Sequence, residues 1–225
     1  MARAVIFDMD GTLLDTEPMY LEAEGSIVRE ATGGDISTIT HLLLGTTPAD
    51  SARIVVDHFK LSMSAEAYLE ERSHRLKKLM QAGVPLMPGM AELLAHCAAI
   101  PLRLAIATSS SRELMEIKLR THADVRQMFE SIVCSDDIPP GRGKPCPDTF
   151  LQAAGALQVQ PEQCLVLEDA PAGIHAARAA GMKVACIRNP HVSASIYADA
   201  NPDQLVDAWL EIDLARFGIE PFGVA

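Results

Sequence analysis

The chain has 225 residues, 48% hydrophobic and 22% charged, with no long low-complexity run or internal repeat, which suits one large domain or an ordinary domain carrying a smaller one. Its net charge of -11, without a Lys/Arg cluster interleaved with aromatics, opposes attraction to a phosphate backbone, so nucleic acid is not expected as a partner. No stretch approaches the roughly 20 apolar residues of a membrane span, so no membrane partner is expected either.

The first element is a strand, "AVIF" at 4–7, which runs directly into "DMDGT" at 8–12. In an extended backbone, residues i and i+2 project to the same side, so Asp8 and Asp10 point together while Gly11 lets the chain turn away. Alone, this stretch is a turn or a site. Two unit charges about 4 Å apart cost roughly 4 kcal/mol at an effective dielectric of about 20. Either one carboxyl is protonated, or a divalent cation neutralises part of the charge, or both hold together; Mg²⁺, a hard oxygen-seeking ion, suits such ligands. Three amphipathic helical patterns follow, near 16–31, 48–60 and 64–81, with Pro48 at a first helical turn. They predict a small helical domain at 16–82 inserted into a sheet domain made of 1–15 and 83–225. A long crossover packed on the sheet is the alternative.

From "GMAELLAHCAA" onward, helices alternate with short apolar runs: "LRLAIAT" at 102–108, "SIVCS" at 131–135, "CLVLE" at 164–168 and "KVACI" at 183–187. Near-continuous hydrophobicity suits strands buried on both faces, and strand–helix repetition predicts an α/β fold with a doubly wound, Rossmann-like parallel sheet. Ligands in such sheets bind beyond the carboxyl ends of the strands, where the polar clusters of this chain collect. "ATSSSRE" places Thr108, Ser109 and Ser110 between a strand and a helix start, as an anion cradle or as ordinary capping. "GRGKPCPDTF" holds Lys144 in a Gly/Pro-rich loop, as a cation for a bound phosphoryl group. "LEDAPAGIHAA" adds Glu168 and Asp169, either as helix capping or, since four carboxylates at one sheet edge are costly without a metal, as Asp169 ligating beside Asp8 with Glu168 supporting them. The five cysteines, Cys97, Cys134, Cys146, Cys164 and Cys186, are odd in number and lack C-x-x-C spacing, which argues against both a disulfide framework and a zinc site. With an N-terminus that enters a strand without a basic and apolar leader, they predict a cytoplasmic protein, expected as a monomer.

Together these parts make a phosphoryl-transfer site, and "DMDGT", "ATSS", "GKPCPD" and "LEDA" resemble, in order, the four motifs of the haloacid dehalogenase-like superfamily of phosphatases and mutases. The resemblance spans the chain. It implies that Asp8 is a nucleophile forming an aspartyl-phosphate, Asp10 a general acid/base, and Thr108 with Lys144 the phosphate binders. It further implies that Asp8, the Asp10 main-chain carbonyl and Asp169 hold Mg²⁺, and that the inserted helices are a cap over a small phosphorylated metabolite. Dehalogenases manage without the second aspartate, so Asp10 speaks against that activity. β-Phosphoglucomutases share all four motifs, but usually carry a cap histidine where this chain has Tyr20, and Lys or Arg where it has Thr46 and Thr47, with Arg53 nearby. Both departures favour hydrolysis over a mutase cycle. The longer pattern, from "LLLGTTPADSARIV" to the late "FGIEPFG", looks most like the branch of sugar-phosphate phosphatases that includes pseudouridine 5'-phosphatase. A binding-only member would lack one or more of Asp8, Asp10, Lys144 and Asp169; all four are present.

Overall fold

A computed structural model gives the structure of the protein and describes residues 1–43, 48–190 and 192–222. It divides into two compact units, one of Met1–Asp15 with Pro85–Ala225 and one of Thr16–Val84. Gly83 and Val84, expected with the sheet domain, fall in the helical unit, where Val84 is buried.

The larger unit is built on six parallel strands: β1 (Ala4–Phe7), β2 (Arg103–Ala107), β3 (Ser131–Val133), β4 (Cys164–Glu168), β5 (Lys183–Ile187) and β6 (Gln204–Val206), in the order β3-β2-β1-β4-β5-β6. Five of them match the expected apolar runs. The sixth, "QLV", is too short and too polar at its start to show a periodicity. Ala4 and Ile6 face the same way and join Phe150, Ala153 and Leu157 of helix α8 (Asp148–Ala156), with Ile174 and Ala177 of helix α9 (Pro171–Ala179), in one core. Val5 and Phe7 point to the other face and are buried there, Phe7 meeting the Phe129 ring edge-on at 5.4 Å. Burial on both faces is why these strands read as unbroken apolar runs. Helices α5 (Met90–Ala99), α6 (Arg112–Lys118), α7 (Ala123–Gln127) and α10 (Ala194–Ala200) complete this unit.

The strand order reverses beside β1: β2 lies on one side of it and β4 on the other. Such a switch point opens a crevice at the carboxyl ends of the strands, and β1 and β4 are the strands that end in Asp8 and in Glu168–Asp169. Just past Asp8 the chain doubles back, with Gly11 N–H donating to the Leu14 carbonyl at 2.9 Å. Asp15 N–H donates to the Pro85 carbonyl at 2.9 Å and Met87 N–H to the Leu13 carbonyl at 3.0 Å, so the chain leaves and rejoins this unit side by side. That pairing lets residues 16–84 be inserted without disturbing the sheet.

The smaller unit contains α1 (Glu17–Thr32), α2 (Thr40–Leu43), α3 (Pro48–Phe59) and α4 (Ala65–Gln81), so the three expected helices are present within one residue at each end. Gly33, at φ +71°, closes α1, and the Ser64 hydroxyl caps α4 by accepting from Ala67 N–H at 3.2 Å. Its core is Ile27, Val28, Ile36, Ala52, Val55, Leu61 and Tyr68, and a largely buried Arg72–Glu24 pair at 2.9 Å ties α4 to α1. No helix among the described residues is long and apolar enough to cross a membrane.

Candidate active site

Asp8 follows β1 directly, its N–H donating to the Leu167 carbonyl at 2.9 Å, so its buried side chain starts at the sheet edge. Lys144 arrives from the loop before α8, and its Nζ donates to Asp8 Oδ1 at 2.5 Å and to Glu168 Oε1 at 2.7 Å while lying 4.7 Å from the centre of the buried Phe150 ring. Glu168 spends its other oxygen, Oε2, on the N–H groups of Asp169 and Ala170, both at 2.8 Å. This brace tolerates no side chain opposite: a Cβ at Gly173 would stand 1.7 Å from Glu168 Oε1. Gly11, at φ +78°, is needed for a similar reason, since its Cβ would stand 2.4 Å from Asp169 Oδ2.

One carboxylate oxygen from each of Asp8, Glu168 and Asp169 can be chosen so that all lie within 4.8 Å of one another. Burial pushes the Asp8 carboxyl up to about 7; Glu168 and Asp10 add to the shift, and Lys144 offsets only part of it. Asp169 is likewise held well above the ordinary aspartate value by burial first, then by Glu168 and Asp8. Burial opposes the charge on Lys144, but Asp8 and Glu168 outweigh it and hold the ammonium above the usual lysine range. Three carboxylates against one ammonium make an all-oxygen donor set with negative charge to spare. Such a set fits a hard divalent cation such as Mg²⁺.

Asp10 is expected to lend its main-chain carbonyl to a cation, and its side chain takes other partners. Its carboxylate does not join that cluster; Lys118 Nζ donates to Asp10 Oδ1 at 2.5 Å and the Ser110 hydroxyl donates to Oδ2 at 2.9 Å. The repulsion between Asp8 and Asp10 is therefore met by two lysines, one for each carboxylate. Lys118 is absent from the sequence expectation, although a signal existed: with Met115 and Leu119 it lies on the apolar stripe of α6, where a lysine needs a buried partner.

Capping is the other reading for two of the clusters, and it holds in one place. Ser111 caps α6, accepting from Leu114 N–H at 3.3 Å, so Thr108, Ser109 and Ser110 are not the capping residues. Thr108 is buried with its Oγ1 accepting from Ser110 N–H at 3.0 Å, whereas Ser109 is exposed. Asp169 does not cap α9 either; the capping position is Ala170. The Tyr197 hydroxyl on α10 donates to the Asp169 carbonyl at 2.8 Å and accepts from Asn189 N–H at 2.8 Å, a support that the sequence did not signal. Trp209 Nε1 holds the Thr12 carbonyl at 3.0 Å in the same manner. Of the remaining candidates, Tyr20 lies half-buried in the first turn of α1, in the helical unit. Arg53 pairs with Asp50 on an exposed face of α3, and Thr46 and Thr47 lie outside the described residues.

The model of the family described as haloacid dehalogenase-like hydrolase matches residues 5–187, which include every motif above. The chain belongs to this family. Among family members, the protein named "probable pseudouridine-5'-phosphatase" of Drosophila melanogaster is 36% identical over 220 residues, covering 96% of this chain and 94% of that one. (DL)-glycerol-3-phosphatase 2 of Arabidopsis thaliana is 33% identical, covering 97% and 92%. Among solved structures of the family, CbbY from Rhodobacter sphaeroides in complex with phosphate superimposes with a TM-score of 0.76 at 29% identity, over 97% of this chain and all of that one.

Proposed function

We propose that this phosphoric monoester hydrolase uses Mg²⁺ to hydrolyse small phosphate monoesters, sugar phosphates or nucleoside monophosphates with pseudouridine 5'-phosphate as a candidate, through an aspartyl-phosphate on Asp8. The observation that carries the reading is the buried Asp8 carboxylate, held by Lys144 at 2.5 Å within an oxygen cluster shared with Asp169 and Glu168. Asp8, Asp169 and the Asp10 main-chain carbonyl would hold the cation, with Glu168 bracing the Asp169 loop and Lys144. When bound, Mg²⁺ supplies positive charge for the phosphoryl oxygens and for the Asp8 carboxylate.

Asp8 attacks phosphorus and the ester oxygen leaves, taking its proton from Asp10. Asp10 then accepts a proton from the water that attacks the aspartyl-phosphate, which releases inorganic phosphate and restores both aspartates. Thr108 and Ser109 bind phosphoryl oxygens together with Lys144, whose charge offsets the charge that develops in transfer. The helical unit acts as the cap, with Tyr20, Thr46 and Thr47 as candidates for contact with the rest of the substrate. Relatives named for pseudouridine 5'-phosphate and for glycerol 3-phosphate support a broad class of small substrates. Five cysteine thiols without a disulfide support a reducing, cytoplasmic setting, and a monomer working without nucleic acid or membrane completes the reading.

A screen of phosphorylated sugars and nucleoside monophosphates with Mg²⁺, following phosphate release, tests it. Turnover of an aryl phosphate and of several of these esters is expected. Failure on all of them with both Mg²⁺ and Mn²⁺ overturns the reading, and isomerisation of β-glucose 1-phosphate through glucose 1,6-bisphosphate would replace it by a mutase.

A further inference from the structure

Lys118 lies at the end of α6 with none of its side chain exposed, yet it carries an ammonium group. Placing such a charge in a protein interior costs several kcal/mol unless partners surround it, and a well-packed apolar residue would serve α6 at least as well for stability. The partners are specific. Lys118 Nζ donates to Asp10 Oδ1 at 2.5 Å and to the Ser110 hydroxyl at 2.7 Å, and that hydroxyl donates to Asp10 Oδ2 at 2.9 Å. The three side chains close a ring that engages both oxygens of Asp10.

The ring is itself anchored. The Ser110 carbonyl accepts from Ser135 N–H at 3.0 Å and Ser110 N–H donates to Thr108 Oγ1 at 3.0 Å, so its position is set by the main chain leaving β2 and by the segment after β3. Asp10 follows β1 and keeps 27% of its side chain exposed, whereas Lys118 is sealed. A carboxylate offers about four lone-pair directions, and the lysine and the serine take two of them. The other two stay available on the exposed side. We propose that Lys118, acting with Ser110, is a positioning residue that fixes the orientation of the Asp10 carboxyl group toward the leaving oxygen. This rests on the phosphatase reading and adds to it a residue outside the four motifs.

Leaving-group chemistry provides the test. An alkyl phosphate needs a proton delivered to its departing oxygen, whereas dinitrophenyl phosphate releases a phenoxide that is stable without one. kcat/KM reports the steps up to ester cleavage for both. With Mg²⁺ present, Lys118→Met is expected to lower kcat/KM about 10- to 100-fold for the alkyl phosphate that the wild type turns over best, part of the roughly 10²- to 10⁴-fold contribution of a general acid. The loss on dinitrophenyl phosphate is expected to stay within about threefold, and inhibition by inorganic phosphate within about twofold, because the Asp8–Lys144 side of the site is untouched. Ser110→Ala, which opens the ring at its other corner, should show the same imbalance to a smaller degree and decides the matter if Lys118→Met does not fold. Equal losses on both esters, no loss, or a gain on the alkyl ester overturns the proposal while leaving the phosphatase reading intact. A wild type inactive on both esters removes that reading and this proposal with it.

Discussion

Single residues in this protein are tuned by which charge stands next to them. Asp8 and Asp10 are two positions apart in sequence, but one meets Lys144 and the other Lys118, so their surroundings diverge. Asp8, Lys144, Glu168 and Asp169 could be picked out from motif and strand position, because short-range spacing after a buried strand leaves little freedom in where a side chain goes. Lys118 could not be paired from sequence, since its partner lies 108 positions away and only folding brings the two together. Replacing the attacking oxygen tests the residue scale directly. Asp8→Asn should lower kcat at least about 10³-fold while the circular dichroism spectrum is kept, since an amide does not attack phosphorus. The same variant has a stability signature without metal. Because the folded-state value of Asp8 is raised to about 7, the native protein binds more protons than the unfolded chain between the ordinary aspartate value and about 7, and stability falls as pH rises through that window. Asn carries no such proton. In EDTA, the Tm of Asp8→Asn relative to wild type should therefore rise by a few degrees between pH 5 and pH 8, and an unchanged difference in calorimetry would contradict the placement of Asp8.

At the scale of elements, the site is a set of strand ends braced by the segments that follow them. β4 delivers Glu168 and Asp169, but α9 holds them in place by having no side chain at Gly173, and α10 does so through Tyr197. Gly173→Ala separates this role from helix propensity, since alanine in a helix interior is favoured by about 1 kcal/mol over glycine. Here the expected result is the reverse: a Cβ 1.7 Å from Glu168 Oε1 must displace the carboxylate that holds Lys144 and the Asp169 loop. A fall in Tm together with a loss of kcat of tenfold or more is expected from thermal melts and steady-state assays, and a Tm gain would show that Glu168 is not braced there. Five strands were readable as apolar runs because both of their faces are covered. β6 escaped because "QLV" begins with a polar residue and is followed at once by Asp207, whereas the equally short β3 continues into Cys134 as an apolar run.

For the whole molecule, the order of the sheet matters more than any one motif. The switch beside β1 places the ends of β1 and β4 together, and the paired segments around Leu14 and Leu86 let a helical unit with its own core leave and return at one point. The cost of the assembled site is its concentrated negative charge, which in the absence of a cation sets Lys144, among the described residues, against three carboxylates. Asp8 and Asp169, both raised, give up protons as the pH climbs, so a bound cation should stabilise the protein more at pH 8 than at pH 5.5. With Mg²⁺ at about 100 times its dissociation constant, the gain at pH 8 should be near 2.7 kcal/mol, or roughly 5–10 °C in Tm. Equal shifts at the two pH values, or none, would show that these carboxylates do not share a cation.

The sequence alone determined the parallel α/β architecture, the inserted helices and the four polar clusters, because these depend on local periodicity and on residues that follow directly after strands. Only the tertiary structure decided how the charges pair: which lysine faces which aspartate, that Ser111 rather than Ser109 caps α6, and that a glycine on α9 makes room for Glu168. Those pairings join segments as much as 136 positions apart, and electrostatic interaction depends on distance in space, which no spacing along the chain reveals.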